Sequence, residues 1–331
     1  MLRADLRFCL VTSFLVTLGI TTLTVRPVAV RAQGAPASRE TQANPVPQET
    51  QVARIPQETR AAAAHLMGAA LASSVAWERL EELVDVFGPR LSGSENLEAS
   101  LDWILQAMKE DGLENVREEP VMVPRWIRGR ESATLLRPRR KPLAMLSLGG
   151  SVGTPPGGIQ GEVLVVGSFA ELAERADEAQ GKMVLFDVPF TTYGETVRYR
   201  TQGAVAAARV GAVASLIRSV SPFSMNTPHT GAMTYEEGVD RIPHAALTLE
   251  DGAMLHRMHD SGERLLLHLE MEARNEGMVP SRNIMGEIMG REFPNEVVVL
   301  GGHSDSWDVG QGAMDDAGGV VAAWEAVRLM K

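Results

Sequence analysis

One histidine and two aspartates near the end of this 331-residue chain have the spacing of a metal site. His303 follows two glycines, Asp305 comes two residues later, and Asp315 lies twelve residues after His303 in a glycine-rich segment. Residues two apart in an extended segment point to the same side, so the Asp305 carboxylate can accept one ring N–H of His303. The other ring nitrogen is then free for a metal, and nitrogen plus carboxylate is the ligand set of a catalytic zinc site.

The elements predicted around these side chains place them where ligands commonly bind. Residues 296–300 are apolar from Val297 onwards, which predicts a strand buried in the middle of a sheet. His303 follows the carboxyl end of that strand, where the sites of open α/β sheets lie. Residues 317–331 predict a helix, and the glycines on both sides of Asp315 permit a tight loop that returns its carboxylate towards His303.

Two other interpretations of the same residues remain open at this point. A nucleophilic hydrolase could use Ser304 or Ser306 with a histidine, although no Gly-x-Ser-x-Gly elbow supports it. A non-catalytic binding protein could retain a vestigial site, although its candidate ligands are all present. A single histidine at a strand end is more often a hydrogen-bonded structural residue than a ligand. The Asp-Asp loop that follows it here favours the metal.

Composition and net charge limit the classes of protein to which this chain can belong. The net charge of −10 argues against nucleic acid as a partner, because a phosphate-binding surface is basic. A local basic run between Arg125 and Lys141 is typical of a solvated surface. With 44% hydrophobic residues, the chain has enough apolar side chains for a sizeable core and enough length for two domains.

Residues 1–32 have the organisation of a secretory signal peptide. Arg3 and Arg7 precede a mostly apolar stretch over residues 8–25, and Val30-Arg31-Ala32 offers small residues for cleavage after Ala32. We therefore expect a secreted or periplasmic protein, whose only membrane contact would be an uncleaved signal segment, since the stretch is near the ~18 residues that span a bilayer. Cleavage would remove Cys9, the only cysteine, so the mature protein would depend on its core or on metal for stability.

The rest of the chain divides by composition into four segments. Residues 33–60 are rich in Pro, Gln, Ala and Thr and predict a disordered spacer. Residues 61–150 predict helices, one of them capped by Ser94, and a strand. Residues 151–272 follow a β…β-α-β order that predicts a separate α/β module, and residues 273–331 contain the candidate site.

Several segments resemble the family of co-catalytic zinc aminopeptidases and glutamate carboxypeptidases. The matching blocks are residues 87–94, 108–117, 203–220, 228–231 and, around the site, 301–316. The resemblance implies an α/β fold with a mixed sheet flanked by helices, into which a protease-associated α/β domain is inserted at residues 151–272. It also implies a zinc-dependent exopeptidase that hydrolyses dipeptides or short peptides through a metal-activated water; whether it forms a homodimer is left open.

Carried to this sequence, the resemblance implies that His303 binds one of two zinc ions and that Asp315 bridges both. Asp305 would support His303, and the Asp315–Asp316 peptide would be cis. The family's general base, a glutamate, and its remaining ligands follow the bridging aspartate, whereas this chain ends at Lys331. The earlier pairs Glu81-Glu82 and Glu236-Glu237 are not plausible substitutes. We therefore expect a fold incomplete at its C-terminus and a polypeptide that is inactive alone.

Overall fold

The computed structural model describes residues 55–331 apart from Ser224, and the backbone of residues 7–12. The predicted signal peptide and spacer lie largely outside these residues. The helices described are α1 (Gln57–Ala72), α2 (Val75–Glu81), α3 (Glu95–Glu110), α4 (Phe169–Glu174), α5 (Ala176–Ala179), α6 (Tyr193–Arg209), α7 (Leu249–Asp260) and α8 (Gly318–Met330). The strands are β1 (Arg7–Thr12), β2 (Glu114–Ile127), β3 (Glu131–Arg137), β4 (Lys141–Leu143), β5 (Met145–Ser147), β6 (Ile159–Val166), β7 (Met183–Phe186), β8 (Ala214–Arg218), β9 (His244–Leu247), β10 (Leu266–Met271), β11 (Arg274–Ile288) and β12 (Val297–Gly302).

Helix α1 begins inside the predicted spacer, at Gln57. Pro56 precedes its first turn, and Glu58 lies in that turn, where a negative charge is favourable. None of its residues is buried. No helix in the described part of the chain combines the length and apolar character that crossing a bilayer requires.

A mixed sheet in the order β12-β1-β11-β2 carries the candidate site at one end. The long strands β2 and β11 pair antiparallel, and β1 lies antiparallel to β11 and parallel to β12. The predicted α/β class, with a mixed sheet flanked by helices, is therefore confirmed. Strand β1 falls within the predicted signal peptide, which stays a prediction.

A second sheet follows the order β4-β3-β10-β6-β7-β8-β9-β5. Its central strands β6, β7, β8 and β9 are parallel, and the last three are buried over most of their length, as expected when helices cover both faces. The small side chains of Ala204 and Ala207 let α6 lie close to this sheet. The sheet already begins at β3, ahead of residue 151, and its assignment as a protease-associated domain stays a prediction.

The helix that follows the candidate site is fixed by a core between α3 and α8. Ser94 caps α3 as predicted, since its side chain accepts a hydrogen bond from the Leu97 amide. The α8 residue Trp324 is fully buried and packs edge-on against Trp103 of α3. Its indole N–H donates to Asp111, which also pairs with Arg79 at 2.6 Å. This packing holds α8, and with it the loop that precedes α8.

The prediction that residues 296–300 form a fully buried strand is wrong. Val297 is 55% exposed and Val299 is 58% exposed, whereas Val298 and Leu300 are half-buried. Helix α8 packs on one face of β12, and alternate side chains therefore point away from it. An uninterrupted apolar run gives no information about which face of a strand is covered.

Candidate metal centre

The imidazole of His303 lies between two aspartates just beyond the end of β12. Its Nδ1 is 3.0 Å from Asp305 Oδ1 and 3.0 Å from the Asp305 carbonyl oxygen. Its Nε2 is 2.9 Å from Asp315 Oδ1. The loop between β12 and α8 thus brings together the three residues that the sequence singled out. Their roles as metal ligands and as support of a ligand stay predictions.

The protonation of His303 follows from these contacts. The hydrogen bond to Asp305 raises the pKa of His303 to about 9; burial opposes the shift, and the charges of Asp305 and Asp315 add to it. Without a metal, both ring nitrogens therefore carry hydrogens at neutral pH, and Nε2–H donates to Asp315. A metal that binds Nε2 must displace this proton, since only a neutral imidazole is a ligand.

Asp316 shapes the loop on the other side of the site. Its Oδ2 accepts from the His303 amide at 3.2 Å, and its Oδ1 accepts from the Gly319 amide at the start of α8, also at 3.2 Å. The Asp315–Asp316 peptide is cis. With Asp316 turned inwards, the Asp315 side chain points outwards and is 80% exposed. One aspartate of the pair thus builds the loop and leaves the other available to a ligand.

A close approach of two backbones makes Gly302 essential to this arrangement. A Cβ at residue 302 would lie 2.5 Å from the Val320 amide nitrogen and 2.7 Å from the Gly319 carbonyl carbon. It would also lie 2.8 Å from Asp316 Oδ2. Backbone atoms cannot move out of the way at low cost, so β12 and α8 can approach this closely only with glycine here.

We expect Gly302→Ala to lower the free energy of unfolding by about 1–3 kcal/mol, the usual cost of overpacking. The measurement is urea unfolding followed by circular dichroism. Gly310→Ala, in the same loop, is the control, because a Cβ at Gly310 would meet no atom within 4 Å. Equal stability of the two variants would contradict the close-packing argument.

Arg90 connects the loop of the site, which lies between β12 and α8, to the N-terminal helices. Its role was not predicted from the sequence. It is fully buried, and its Nε donates to the Ser304 carbonyl at 2.8 Å. Its Nη1 donates to the carbonyl oxygens of Leu83, Gly88 and Gln311. Burial lowers the pKa of Arg90 to about 10, while the Asp305 charge opposes this, so the guanidinium stays charged at neutral pH.

Arg128 is a second residue whose role the sequence did not reveal. It belongs to the basic run that composition assigned to a solvated surface, yet it is 8% exposed. Its guanidinium donates to both carboxylate oxygens of Asp308, at 2.8 and 2.7 Å, and also bonds the Ser147 carbonyl. The sequence assignment is therefore wrong for Arg128, which connects the loop of the site to the beginning of the second sheet.

The two serines of the alternative hydrolase are poorly placed for nucleophilic attack. Ser304 and Ser306 are 4% and 5% exposed. The Ser306 hydroxyl accepts from the Arg90 amide at 2.9 Å and lies 3.3 Å from the Trp307 carbonyl. Its hydrogen-bonding capacity is thus used to shape the loop.

The donor set at the site fits a metal ion. His303 offers Nε2 in a ring that Asp305 orients, and Asp315 offers an exposed carboxylate directly opposite. Within the described residues, no group of three or more His, Cys, Asp or Glu side chains could hold a metal. His303 and Asp315 would therefore contribute one nitrogen and one carboxylate to such a site.

Residues 283–331 match the model of peptidase family M28. Carboxypeptidase Q of Mus musculus is 54% identical over 255 residues, which are 77% of this chain and 54% of that protein. Carboxypeptidase Q of Homo sapiens is 53% identical over 260 residues, 78% of this chain and 55% of that protein. The chain thus spans about half the length of the curated relatives it matches.

Solved structures give the same result. The crystal structure of a peptidase M28 precursor from Shewanella amazonensis superposes with a TM-score of 0.78 at 34% identity, over 82% of this chain and 64% of that one. A zinc aminopeptidase from Bacillus subtilis superposes with a TM-score of 0.53 at 21% identity, over 77% of this chain and 56% of that one, and shows the shared fold alone. Taken with the arrangement of His303, Asp305 and Asp315, these matches place the chain in peptidase family M28, as a relative of carboxypeptidase Q.

Proposed function

We propose that this protein is a zinc-dependent exopeptidase that hydrolyses dipeptides or short peptides. The observation that carries the proposal is the convergence of His303 Nε2 and Asp315 Oδ1, 2.9 Å apart, at the end of β12. Relatives of the chain are named carboxypeptidase Q and probable leucine aminopeptidase 2, which supports a metallo-exopeptidase.

In this proposal each residue of the site has a distinct task. His303 and Asp315 would hold zinc, with Asp315 shared between two ions in the complete site. Asp305 keeps Nδ1 of His303 occupied, so that Nε2 would be left to bind the metal. Asp316 fixes the loop through the His303 and Gly319 amides. Zinc, when bound, supplies a Lewis acid that polarises a carbonyl and lowers the pKa of water.

The test uses protein expressed from the complete reading frame. Zinc content is measured by mass spectrometry, and hydrolysis of a set of dipeptides is followed before and after dialysis against a chelator. We expect chelation to abolish hydrolysis and added zinc to restore it. Hydrolysis that survives complete removal of metal would refute the proposal. Zinc binding without any hydrolysis would favour the non-catalytic binding protein instead.

The described residues give the site two candidate ligands, His303 and Asp315, whereas catalytic zinc sites use three protein ligands. That the polypeptide of residues 1–331 is inactive alone stays a prediction. We expect weak zinc binding by calorimetry and no dipeptide hydrolysis for the isolated polypeptide. Zinc-dependent turnover by this polypeptide would contradict the prediction.

We also propose that the protein is exported and that its signal peptide is cleaved after Ala32. Support comes from the charged, apolar and small-residue regions of residues 1–32. Cleavage there would remove β1 and leave β11 and β12 without the strand between them. N-terminal sequencing of protein from the medium or periplasm tests this, and a mature protein that retains residues 7–12 would contradict it.

A further inference from the structure

The loop between β8 and β9 returns to the metal centre and carries His229. The Gly149 amide donates to the Gly231 carbonyl at 2.9 Å. The Trp307 ring, from the loop of the site, lies directly against Gly149, where a Cβ would be 2.3 Å from Trp307 Cη2. The backbone beside His229 is therefore packed, through Gly149, against the segment that contains His303 and Asp305.

Arg200 fixes the orientation of the His229 ring. Its Nη1 lies 3.4 Å from His229 Nδ1 and donates to the Thr230 carbonyl at 3.2 Å, while Nη2 donates to the Tyr193 hydroxyl at 2.7 Å. A guanidinium has only donors, so its contact with Nδ1 is favourable when Nδ1 of a neutral His229 accepts, and Nε2 then carries the hydrogen. In that tautomer the ring presents an N–H on the side opposite to Arg200.

The Arg200 side chain and the Thr230 hydroxyl, beneath the His229 loop, are buried. Arg200 is 7% exposed, and its Cζ would lie 2.2 Å from a Cβ at Gly231, so only glycine allows the guanidinium to lie beneath the loop. Arg200 Nε and Thr230 Oγ1 are buried without a hydrogen-bond partner among the described residues.

His229 also lies within electrostatic reach of Asp315. Burial, followed by the Arg200 charge, lowers the pKa of His229, and the Thr230 carbonyl and the Asp315 carboxylate oppose this shift. The ring is therefore neutral at pH 7 and is not repelled by a metal cation. The side of the ring near Arg200 is partly buried, but His229 as a whole is exposed, unlike the arginine that supports it.

We propose that the Nε2–H of His229 donates a hydrogen bond to an oxygen of the peptide substrate beside the metal centre. The acceptor is the terminal carboxylate or a peptide carbonyl of the substrate, both of which offer an oxygen lone pair. The loop of the second sheet would then form part of the substrate site, with Arg200 as the residue that positions His229. This inference rests on the proposed exopeptidase function.

The test compares His229→Phe and His229→Gln with wild type in zinc-loaded protein from the complete reading frame. The substrates are one dipeptide and its C-terminal amide. We expect His229→Phe to lower kcat/KM for the dipeptide roughly 10- to 100-fold if the acceptor is the carboxylate, and roughly 3- to 10-fold if it is a neutral carbonyl. His229→Gln, which can still donate an N–H, should recover part of the loss. A loss confined to the free dipeptide identifies the carboxylate, and an equal loss for the amide identifies the carbonyl.

Control measurements separate this inference from the proposed function. His65→Phe, on the exposed helix α1, should match wild type, and all variants should keep the same zinc content. Two results for His229→Phe would each overturn the inference: a kcat/KM within twofold of wild type, or a loss of zinc that accompanies the loss of activity. In either case, zinc-dependent activity of the wild-type protein would still support the proposed function. Long-range 1H–15N NMR gives a second check, because a hydrogen found on Nδ1 of His229 would also overturn it. Wild-type protein without zinc-dependent hydrolysis would remove both proposals.

Discussion

Replacing Asp315 by asparagine is expected to lower kcat/KM for dipeptides roughly a thousandfold or more, because metal-assisted stabilisation of the transition state is worth several kcal/mol. Asparagine keeps the size of the side chain but loses the negative charge and one oxygen ligand. The exposed position of Asp315 means that its removal disturbs little packing. The loss should therefore appear in activity and zinc content and not in folding.

The measurement pairs kinetics with zinc content and thermal unfolding of the metal-free protein. Asp260→Asn is the matched control, since Asp260 is 67% exposed at the end of α7. That variant should retain both zinc and activity. If Asp315→Asn kept wild-type zinc and turnover, the assignment of Asp315 as a shared ligand would be wrong.

Replacing Arg90 by methionine is expected to lower the free energy of unfolding by about 3 kcal/mol or more, because a buried acceptor left without its donor costs about 1–3 kcal/mol. The substitution leaves the carbonyl oxygens of Leu83, Gly88, Ser304 and Gln311 without their buried donor. Two of these oxygens belong to the loop of the site, so zinc affinity should fall as well. Urea unfolding and zinc calorimetry measure the two effects.

Two other substitutions make the Arg90 experiment specific. Arg90→Lys keeps the charge but has three donors in place of the planar fork, so it should recover stability only partly. Arg130→Met removes an arginine that is 89% exposed and paired with Glu272, and it should leave stability unchanged because surface ion pairs contribute little. Equal stability of Arg90→Met and Arg130→Met would show that the buried network does not hold the loop.

The local features of the site could be predicted from the sequence because they depend on residues near one another in the chain. An apolar run followed by Gly-Gly-His placed His303 at a strand end, and the structure has β12 end at Gly302. The His-x-Asp spacing placed Asp305 within reach of Nδ1. Glycines around Asp315 permitted the loop that brings it to Nε2. The cap of α3 by Ser94 is equally local.

The contacts that hold the site together could not be predicted, since they join residues far apart in the chain. Arg90 bonds Ser304 and Gln311 across more than two hundred residues, and Arg128 pairs with Asp308 across 180. The residues next to them in the sequence show only that Arg90 lies near a glycine and that Arg128 lies in a basic run. Burial of a charge is decided by what packs over it, and that depends on the tertiary structure.

The sequence by itself determined the candidate ligands, the elements that carry them and the family to which the chain belongs. The tertiary structure decided which arginines are buried, which face of β12 is exposed, and that the loop carrying His229 packs, through Gly149, against Trp307. The physical reason is the range of the interactions. Backbone conformation and side-chain spacing follow from neighbouring residues, whereas desolvation and charge pairing depend on segments that meet only in the folded protein.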